Sequence, residues 1–346
     1  PNFMKVAPVM AALEQQTSVR QSLVHTGQHY DRNMSDVFFE QLQIPKPDVS
    51  LGVGSGSHAR QTADIMVKLE ASLLEQRPDW MIVYGDVNST VAAALVCAKL
   101  EIPVAHVEAG LRSFDRRMPE EINRMVTDRL SELYFTPSTD GDQNLIREGV
   151  DSQRIHCVGN VMIDTLKRLQ SRAVLPDLPG RAERYGLVTL HRPSNVDDAT
   201  SFQRILESLL TISRKCQLLF PIHPRTRARF PKLIDELQSS DILTTEPVGY
   251  LEFLALQQHA TFVITDSGGI QEETTYMGVP CLTLRENTER PVTVEIGTNI
   301  LIGQDMDLLI KEVDLILQGQ AKPGAVPEFW DGQASLRIAE VLLAVS

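Results

Sequence analysis

The sequence has few cysteines and lacks a long apolar run. Its 346 residues include Cys97, Cys157, Cys216 and Cys281, with no CxxC pair among them. Thiols this sparse exclude a disulfide scaffold and a clustered zinc site, and they suit a reducing cytoplasm. The longest apolar runs, such as residues 91–98, are far shorter than the roughly 20 residues that span a bilayer, and no signal peptide is recognisable. These absences predict a cytoplasmic protein without a membrane partner.

Positive charge is also in short supply. Lys and Arg number 33 against 45 Asp and Glu, which gives a formal net charge of −12. With this balance the protein has no general electrostatic attraction to nucleic acids or to anionic lipids. An anionic ligand therefore has to be bound by a local site. The apolar content of 42% and the charged content of 23% are ordinary for globular proteins and exclude wholesale disorder.

Short β-branched runs alternate with helical patterns along nearly the whole chain. Near-continuous apolar strands separated by helices predict an α/β fold whose parallel, doubly wound sheets are covered on both faces. So many strands fit two Rossmann-like domains with an interdomain cleft better than they fit one sheet. The predicted strands are 21–26, 80–84, 103–107, 133–137, 155–158, 186–190, 217–222, 261–265 and 280–284. The predicted helices are 58–76, 89–100, 120–133, 140–148, 200–213, 225–238, 250–258, 269–277 and 334–345.

The best candidate for a linker is the polar segment 168–186, which contains two prolines. We therefore predict an N-terminal Rossmann-like domain over 1–165 and a second one over 166–332. The C-terminal helix, within 333–346, has no strand after it and is expected to pack back on the first domain. In open parallel sheets, ligands bind at the carboxyl ends of the strands, so polar residues there are the candidates for function.

In the first half, carboxylates directly follow two predicted strands. Asp86 and Glu108 occupy these positions. A carboxylate at the end of a buried strand is costly unless it is paired or used in chemistry, and Arg112 is a candidate ion-pair partner for Glu108. We predict functional roles for both acids. Asn88 and Ser89 are better explained as helix caps.

A pair of acidic residues opens the helix predicted at 120–133. Glu120 and Glu121 follow Pro119 there. Acidic residues are common in a first helical turn because they complement the helix dipole. By pattern alone, these two acids therefore indicate a helix start and no function.

In the second half, a glycine-rich turn has the features of a phosphate site. Ser267, Gly268 and Gly269 join a predicted strand to a helix. The free N–H groups and the dipole at such a helix start favour phosphate. Glu272 or Glu273, one turn into the helix, could accept hydrogen bonds from ribose hydroxyls. An ordinary loop-to-helix turn is the alternative.

Two histidines directly follow predicted strands and have arginine neighbours. With Arg290, His191 and His223 would form a positive pocket in an acidic protein. The glycine-rich run 52–56 lacks the preceding strand that a dinucleotide fingerprint requires, so we predict a loop there and no NAD site. By their sequence positions, we interpret His25, His106, His156 and His259 as ordinary packing residues. Together these residues predict a nucleotide-linked substrate, with phosphate contacts from the second domain and carboxylates from the first.

Ordered motifs along the chain carry a family resemblance. They are PNFMKVAPV (1–9), GQHYD (27–31), VYGDVNST (83–90), HVEAGLRS (106–113), RMPEEINR (117–124), TLHRPSNVD (189–197), TDSGGIQEE (265–273) and ENTERPVT (286–293). The sequence resembles the non-hydrolysing UDP-N-acetylglucosamine 2-epimerases, which have a glycosyltransferase-B-like fold. The resemblance implies interconversion of UDP-GlcNAc and UDP-ManNAc, by elimination of UDP to 2-acetamidoglucal and re-addition. It implies no metal or redox cofactor, a homodimer, and a role in supplying surface polysaccharide.

The resemblance also assigns roles to individual residues. It implies a catalytic set of Lys5, Asp86, Glu108, Glu120 and His191. It implies UDP contacts from His191, Phe253, Ser267, Gly268, Gly269, Glu273 and Arg290. The family also has a strand ending in Gly-Thr-Arg ahead of position 1, which we expect to precede this sequence.

Bacterial members of the family bind a second, activating UDP-GlcNAc. By position, Gln28, His29 and His223 are the candidates for such an allosteric site. Pro193, however, stands where those members have an arginine, and proline has no side-chain donor to replace it.

Four other functions share these features. An epimerase of a modified sugar, such as a UDP-2,3-diacetamido-uronic acid, would use the same chemistry. A hydrolysing epimerase would release free ManNAc and UDP. A glycosyltransferase would need an acceptor, and the carboxylates at the strand ends argue against it. A catalytically silent nucleotide-sugar sensor would bind UDP without needing those carboxylates.

Overall fold

The computed structural model describes residues 2–16, 18–27, 42, 44–222, 224–231, 234, 237 and 240–345. The chain forms two compact units, Pro1–Lys167 with Glu328–Ser346, and Arg168–Pro327. The candidate regulatory residues Gln28, His29 and His223 lie outside the described residues.

The first unit contains a four-stranded parallel sheet in the order β3-β4-β5-β6 and a separate parallel pair, β1-β2. The sheet strands β4 and β5 are buried along their whole length because helices cover both faces. The strands are β1 Val24–His25, β2 Val49–Ser50, β3 Met81–Tyr84, β4 Val104–Val107, β5 Leu133–Thr136 and β6 Ile155–Cys157. The helices are α1 Phe3–Glu14, α2 His58–Glu75, α3 Asn88–Lys99, α4 Pro119–Leu130, α5 Thr139–Arg147 and α6 Val161–Gln170.

The second unit contains a six-stranded sheet, all parallel, in the order β12-β11-β10-β7-β8-β9. The chain runs outward from β7 in both directions, so β7 and β10 flank the point where the strand order reverses. The strands are β7 Tyr185–Thr189, β8 Gln217–Pro221, β9 Ile242–Thr245, β10 Phe262–Thr265, β11 Cys281–Thr283 and β12 Asn299–Leu301. The helices are α7 Pro193–Val196, α8 Ala199–Ser213, α9 Pro224–Arg229, α10 Tyr250–His259, α11 Gly268–Met277, α12 Pro291–Glu295 and α13 Met306–Leu317.

The last helix, α14 (Ala334–Val345), belongs to the first unit and packs on α1. Ile338 of α14 shares a buried apolar cluster with Val9 of α1. The carboxylate of Asp164 in α6 accepts hydrogen bonds from the backbone N–H groups of Ala334 at 3.1 Å and Ser335 at 2.8 Å. These bonds cap the start of α14. The C-terminal segment is therefore fixed to the first unit by both apolar packing and a buried cap.

The α/β class with parallel sheets is confirmed, and the structure adds elements that the sequence pattern missed. The missed strands β2, β9 and β12 are only two to four residues long, which is too short for a recognisable period. Helix α1 was missed because Pro8 interrupts its pattern. The expectation that no strand precedes residues 52–56 was wrong, since β2 ends at Ser50.

Candidate functional site

The register of the first sheet brings two predicted acids to its carboxyl-terminal edge, where the strands end. Tyr84 of β3 pairs with Val107 of β4. Gly85 and Glu108 are the next residues along these strands, and the N–H of Gly85 donates to the Val107 carbonyl at 3.0 Å. Because the strands are parallel, their carboxyl ends lie side by side. Asp86 and Glu108 therefore follow neighbouring strands at the same edge of the sheet.

Lys5 and Glu108 form a buried ion pair at this edge. Gly85 packs tightly beside it: a Cβ on Gly85 would lie 2.6 Å from Lys5 Nζ and 3.2 Å from Glu108 Oε2. The φ of Gly85 is +62°, which favours glycine. Glu108 itself has a φ of +73°, and a non-glycine residue held there stores about 1–3 kcal/mol of strain, a feature that clusters at functional sites.

Arg112, the candidate ion-pair partner of Glu108, pairs with other acids. Its guanidinium pairs with Asp128 at 2.7 Å and with Glu148 at 2.7 Å. Lys5, which comes from helix α1, pairs with Glu108 instead. The sequence pattern could not show this pairing, because Lys5 and Glu108 are 103 positions apart in the chain.

Asp86 is tied to helix α4 by an arginine. Arg124 Nη1 pairs with Asp86, and Arg124 Nη2 pairs with Glu121 at 2.7 Å. Asn123 of the same helix donates to the backbone carbonyl of Asp86 at 2.9 Å. Arg124 is buried, whereas about a quarter of the Asp86 side chain is exposed. The helix thus presents one oxygen of Asp86 to Arg124 while part of the carboxylate stays accessible.

Glu121 fixes the loop that leads into α4. Its carboxylate accepts hydrogen bonds from the backbone N–H groups of Ser113 and Phe114, both at 2.9 Å. Burial raises the pKa of Glu121. The Ser113 N–H and the Arg124 guanidinium lower it by a larger amount, so the net shift is downward. The sequence pattern gave no function for this acid, and the structure shows it as the support of Arg124.

Glu120 differs from its neighbour. Its side chain is half-buried in the first turn of α4, and among the described residues it makes no hydrogen bond or ion pair. A carboxyl group without a competing partner can exchange a proton with a ligand. The structure therefore places Glu120 on the helix that contacts Asp86 and leaves its carboxylate available.

Asn88 and Ser89 do not cap helix α3, so the capping prediction was wrong. The N-cap residue is Val87, and no side chain caps the helix there. Asn88 is the first helical residue, and its Nδ2 donates to Gln61 at 2.7 Å. Ser89 Oγ lies 2.8 Å from Thr26 Oγ1. Both side chains connect α3 to neighbouring segments.

His106, which the sequence pattern placed in ordinary packing, belongs to this network. It lies in the fully buried strand β4, with Nδ1 at 2.6 Å from Asp128 and Nε2 at 2.8 Å from the Gly85 carbonyl. The one available signal was a histidine in an otherwise apolar strand, two residues before Glu108. That signal did not reveal which groups face the ring.

In the second unit, a buried aspartate accepts hydrogen bonds from the segment after β7. Asp266 follows β10, and its carboxylate accepts the backbone N–H groups of His191 at 3.1 Å and Arg192 at 2.9 Å. Asn195 donates to it at 3.0 Å. Burial raises the pKa of Asp266. His191 and these donors lower it by a larger amount, so the net shift is downward. His191, whose Nδ1 also reaches Asp266, is held at the strand ends beside the reversal point of the sheet.

The predicted phosphate turn is a helix start with an arginine against it. Ser267 precedes α11, and its side chain does not cap the helix. A Cβ on Gly268 would lie 2.6 Å from Arg290 Nη1, so the absence of a side chain lets the guanidinium approach. Arg290 is buried and pairs with Glu289 and, at 2.7 Å, with Glu272. Arg290 is therefore a buried, paired residue at this helix start.

Glu273 lies one turn into α11 and is buried between neutral donors. Tyr250 donates to it at 2.9 Å and Gln257 at 2.6 Å. Burial raises the pKa of Glu273 above its ordinary range. Phe253 lies on α10 between these two donors in sequence, half-buried against the same apolar cluster as Ile270. The structure thus brings Phe253 and Glu273 onto packed neighbouring helices.

Two structural absences hold for the part of the chain that the structure describes. No three His, Cys, Asp or Glu side chains there are grouped so that they could hold a metal ion. None of the described helices has the length and apolar character needed to cross a membrane.

Comparisons with known proteins identify the family to which this chain belongs. The family model described as UDP-N-acetylglucosamine 2-epimerase matches residues 11–343. The UDP-N-acetylglucosamine 2-epimerase of Methanocaldococcus jannaschii is 43% identical over 360 residues, covering 99% of this chain and 96% of that protein. The UDP-2,3-diacetamido-2,3-dideoxy-D-glucuronate 2-epimerase of Pseudomonas aeruginosa is 41% identical over 345 residues, with the same coverage.

A solved structure agrees with the sequence relatives. The Methanocaldococcus jannaschii enzyme in complex with UDP-GlcNAc and UDP superposes with a TM-score of 0.90 at 43% identity, covering 99% of this chain and 96% of that one. A likeness of this extent, over nearly the full length of both chains, confirms the resemblance seen in the motifs and the glycosyltransferase-B-like fold. The chain belongs to the UDP-N-acetylglucosamine 2-epimerase family and is an isomerase of that class.

Proposed function

We propose that the protein interconverts UDP-GlcNAc and UDP-ManNAc without releasing free sugar. The observation that carries the proposal is a set of three acids in a chain of this family. Asp86 and Glu108 follow the neighbouring strands β3 and β4, and Glu120 lies on the helix that contacts Asp86. We call these three acids the carboxylate cluster. Relatives of this chain have been solved with UDP-GlcNAc bound. The reaction needs no acceptor, unlike a glycosyl transfer.

The first unit supplies the proton chemistry. A base removes the proton from carbon 2 while the bond from carbon 1 to the diphosphate oxygen breaks, and UDP leaves with the bonding electrons. UDP then adds back to the 2-acetamidoglucal, and a proton returns to carbon 2 from the opposite face. Inversion therefore requires an acid–base group on each face. We assign this work to Asp86, Glu108 and Glu120, with Lys5 beside Glu108.

The second unit supplies the diphosphate contacts. The N–H groups of Gly268 and Gly269, in the first turn of α11, suit phosphate oxygens. We assign the Arg290 guanidinium, which lies against the same helix start beside Glu272 and Glu289, as a donor to the leaving diphosphate. His191 and Ser267 complete the phosphate contacts, and Phe253 and Glu273 serve the nucleoside. None of these roles requires a metal or redox cofactor.

A modified sugar is the second candidate substrate. The Pseudomonas relative that acts on a diacetamido-glucuronate is 41% identical, nearly as similar as the 43% of the relative named for UDP-GlcNAc. Overall identity therefore does not separate the two substrates. Side-by-side turnover of UDP-GlcNAc and the UDP-2,3-diacetamido-uronic acid decides between them.

The test is incubation with UDP-GlcNAc in deuterated water, followed by NMR at carbon 2. We expect deuterium at carbon 2 of both epimers and no accumulation of free UDP. Epimer without label would contradict the proposed chemistry, and sustained release of UDP and ManNAc would identify a hydrolysing enzyme. A protein that binds UDP but exchanges nothing would be a sensor.

Matched variants connect the exchange to the cluster. Asp86→Asn and Glu120→Gln should each lower turnover at least about 100-fold, the scale of a lost general acid or base. UDP binding should survive, because the diphosphate contacts belong to the second unit. Glu70→Gln, at an exposed acid on α2, is the control and should leave turnover unchanged.

A further inference from the structure

The ring of His106 faces a hydrogen-bond acceptor on each side. No part of its side chain is exposed to solvent. Nδ1 lies 2.6 Å from Asp128 Oδ1, and Nε2 lies 2.8 Å from the carbonyl oxygen of Gly85. A neutral imidazole has a single N–H and can satisfy one of these acceptors, whereas an imidazolium has two. The carbonyl of Gly85 can only accept, so the charge state depends on Asp128.

Asp128 has the environment of an ionised carboxylate. Its Oδ2 accepts from Arg112 Nη1 at 2.7 Å and from the N–H of Gly110 at 3.2 Å. A carboxylate that stays ionised has no proton to donate to Nδ1. The proton between Asp128 and His106 therefore belongs to the ring.

The ring supports the turn on which the carboxylate cluster is built. Gly85 precedes Asp86, and its α-carbon faces the Lys5–Glu108 pair. The charged groups around His106 include Asp128 from α4 and Arg112, which pairs with Asp128, and the Lys5–Glu108 pair lies on the far side of Gly85. The hydrogen bond from Nε2 to the Gly85 carbonyl thus connects the buried Asp128 to the turn that carries Asp86.

We propose that His106 is a positioning residue that carries a proton on both ring nitrogens and holds the Gly85–Asp86 turn against the Lys5–Glu108 pair. The inference rests on the proposed function for the role of that cluster. His106 acts through Gly85 and does not contact the sugar. Without the ring, the turn is free to shift, and a misplaced catalytic group lowers the rate of the chemical step more than it weakens substrate binding.

The first experiment measures the charge state in the unaltered protein. Two-dimensional ¹⁵N–¹H NMR of protein with ¹⁵N-labelled histidine distinguishes an imidazolium from each neutral tautomer. At the pH of the exchange assay, we expect one histidine to show N–H signals from both ring nitrogens, as its two acceptors require, and these signals to be missing from His106→Gln. A neutral tautomer for His106 at that pH would overturn the proposal. This result does not depend on any substrate.

The second experiment measures carbon-2 exchange in His106→Gln beside His259→Asn. His259 bonds to the carbonyl of Ala255 in its own helix, in the second unit, so its replacement is the control. We expect His106→Gln to lower kcat about 100-fold with little change in KM, and the control to match the unaltered protein. A folded His106→Gln with normal kcat, or with only KM changed, would overturn the proposal.

The two measurements separate failure of this inference from failure of the proposed function. If the unaltered protein exchanges no proton at carbon 2 of any UDP-sugar tested, the epimerase assignment fails, and the NMR spectrum still decides the charge state of His106. If His106→Gln does not fold, as judged by circular dichroism, the NMR result on the unaltered protein decides the proposal by itself.

Discussion

His191 Nδ1 lies 2.8 Å from Asp266 Oδ1, and the two residues differ completely in exposure. The His191 side chain is 58% exposed, whereas that of Asp266 is fully buried. A buried carboxylate therefore orients a histidine that is accessible to a ligand. Because an ionised carboxylate can only accept, Nδ1 donates to Asp266, and Nε2 is left for a ligand.

We expect Asp266→Asn to weaken UDP binding about tenfold, because a charged hydrogen-bond partner of the histidine contributes about 1.5–3 kcal/mol. Isothermal titration calorimetry with UDP measures the loss. His191→Asn should produce a similar loss, and the double variant should lose little more, since both changes remove one interaction. Additive losses would show that Asp266 and His191 act separately on UDP.

Lys5→Met should destabilise the fold, because it removes the ammonium that neutralises a buried Glu108. Breaking a buried ion pair costs about 3–5 kcal/mol of unfolding free energy. Chemical denaturation measures the change. The double variant Lys5→Met with Glu108→Gln should recover much of the lost stability and remain inactive. A double variant as unstable as Lys5→Met alone would contradict the pairing.

Arg124→Lys should lower turnover about tenfold or more with UDP binding preserved. A lysine ammonium cannot bond to Asp86 and Glu121 in the planar geometry of a guanidinium, so Asp86 loses its fixed position. Steady-state kinetics measures kcat and KM separately. Arg129→Lys, at an exposed position of the same helix, is the control. Equal turnover in the two variants would remove Arg124 from the positioning of Asp86.

Gly268→Ala should weaken UDP binding without unfolding the protein. Alanine is well tolerated in helices, but its Cβ would meet Arg290 Nη1 at 2.6 Å and Glu289 Oε1 at 2.9 Å. The guanidinium has to move from the helix start, and we expect about a tenfold loss of UDP affinity, which is about 1.4 kcal/mol. Gly56→Ala, where the nearest atoms lie at an ordinary 3.7 Å, is the control. Unchanged affinity in Gly268→Ala would place the diphosphate elsewhere.

Stability should fall as the pH is lowered. The pKa values of Glu121, Asp128 and Asp266 are all lower in the folded protein than their ordinary values. A carboxyl with a lowered folded-state pKa contributes stability above its unfolded-state pKa, near about 4, and that contribution is lost as the pH falls through the folded-state pKa. Thermal unfolding between neutral pH and about pH 3 measures this. Asp266→Asn should show a flatter dependence, and an equal slope would contradict it.

The sequence by itself determined the α/β class, most strands, and the positions of the polar residues that follow them. Strand periodicity and strand-end position are local properties, so Asp86, Glu108 and the turn at Ser267 could be found without a structure. The family motifs added Lys5 and Glu120, which no local pattern marks as functional.

Only the tertiary structure decided which groups meet. Lys5 pairs with Glu108 across 103 positions, and Arg124 joins Glu121 to Asp86 because α4 packs at the ends of β3 and β4. The surroundings of His106 depend equally on α4 and on the turn after β3. Ion pairing and protonation are set by distance and burial, and these depend on how separate segments pack.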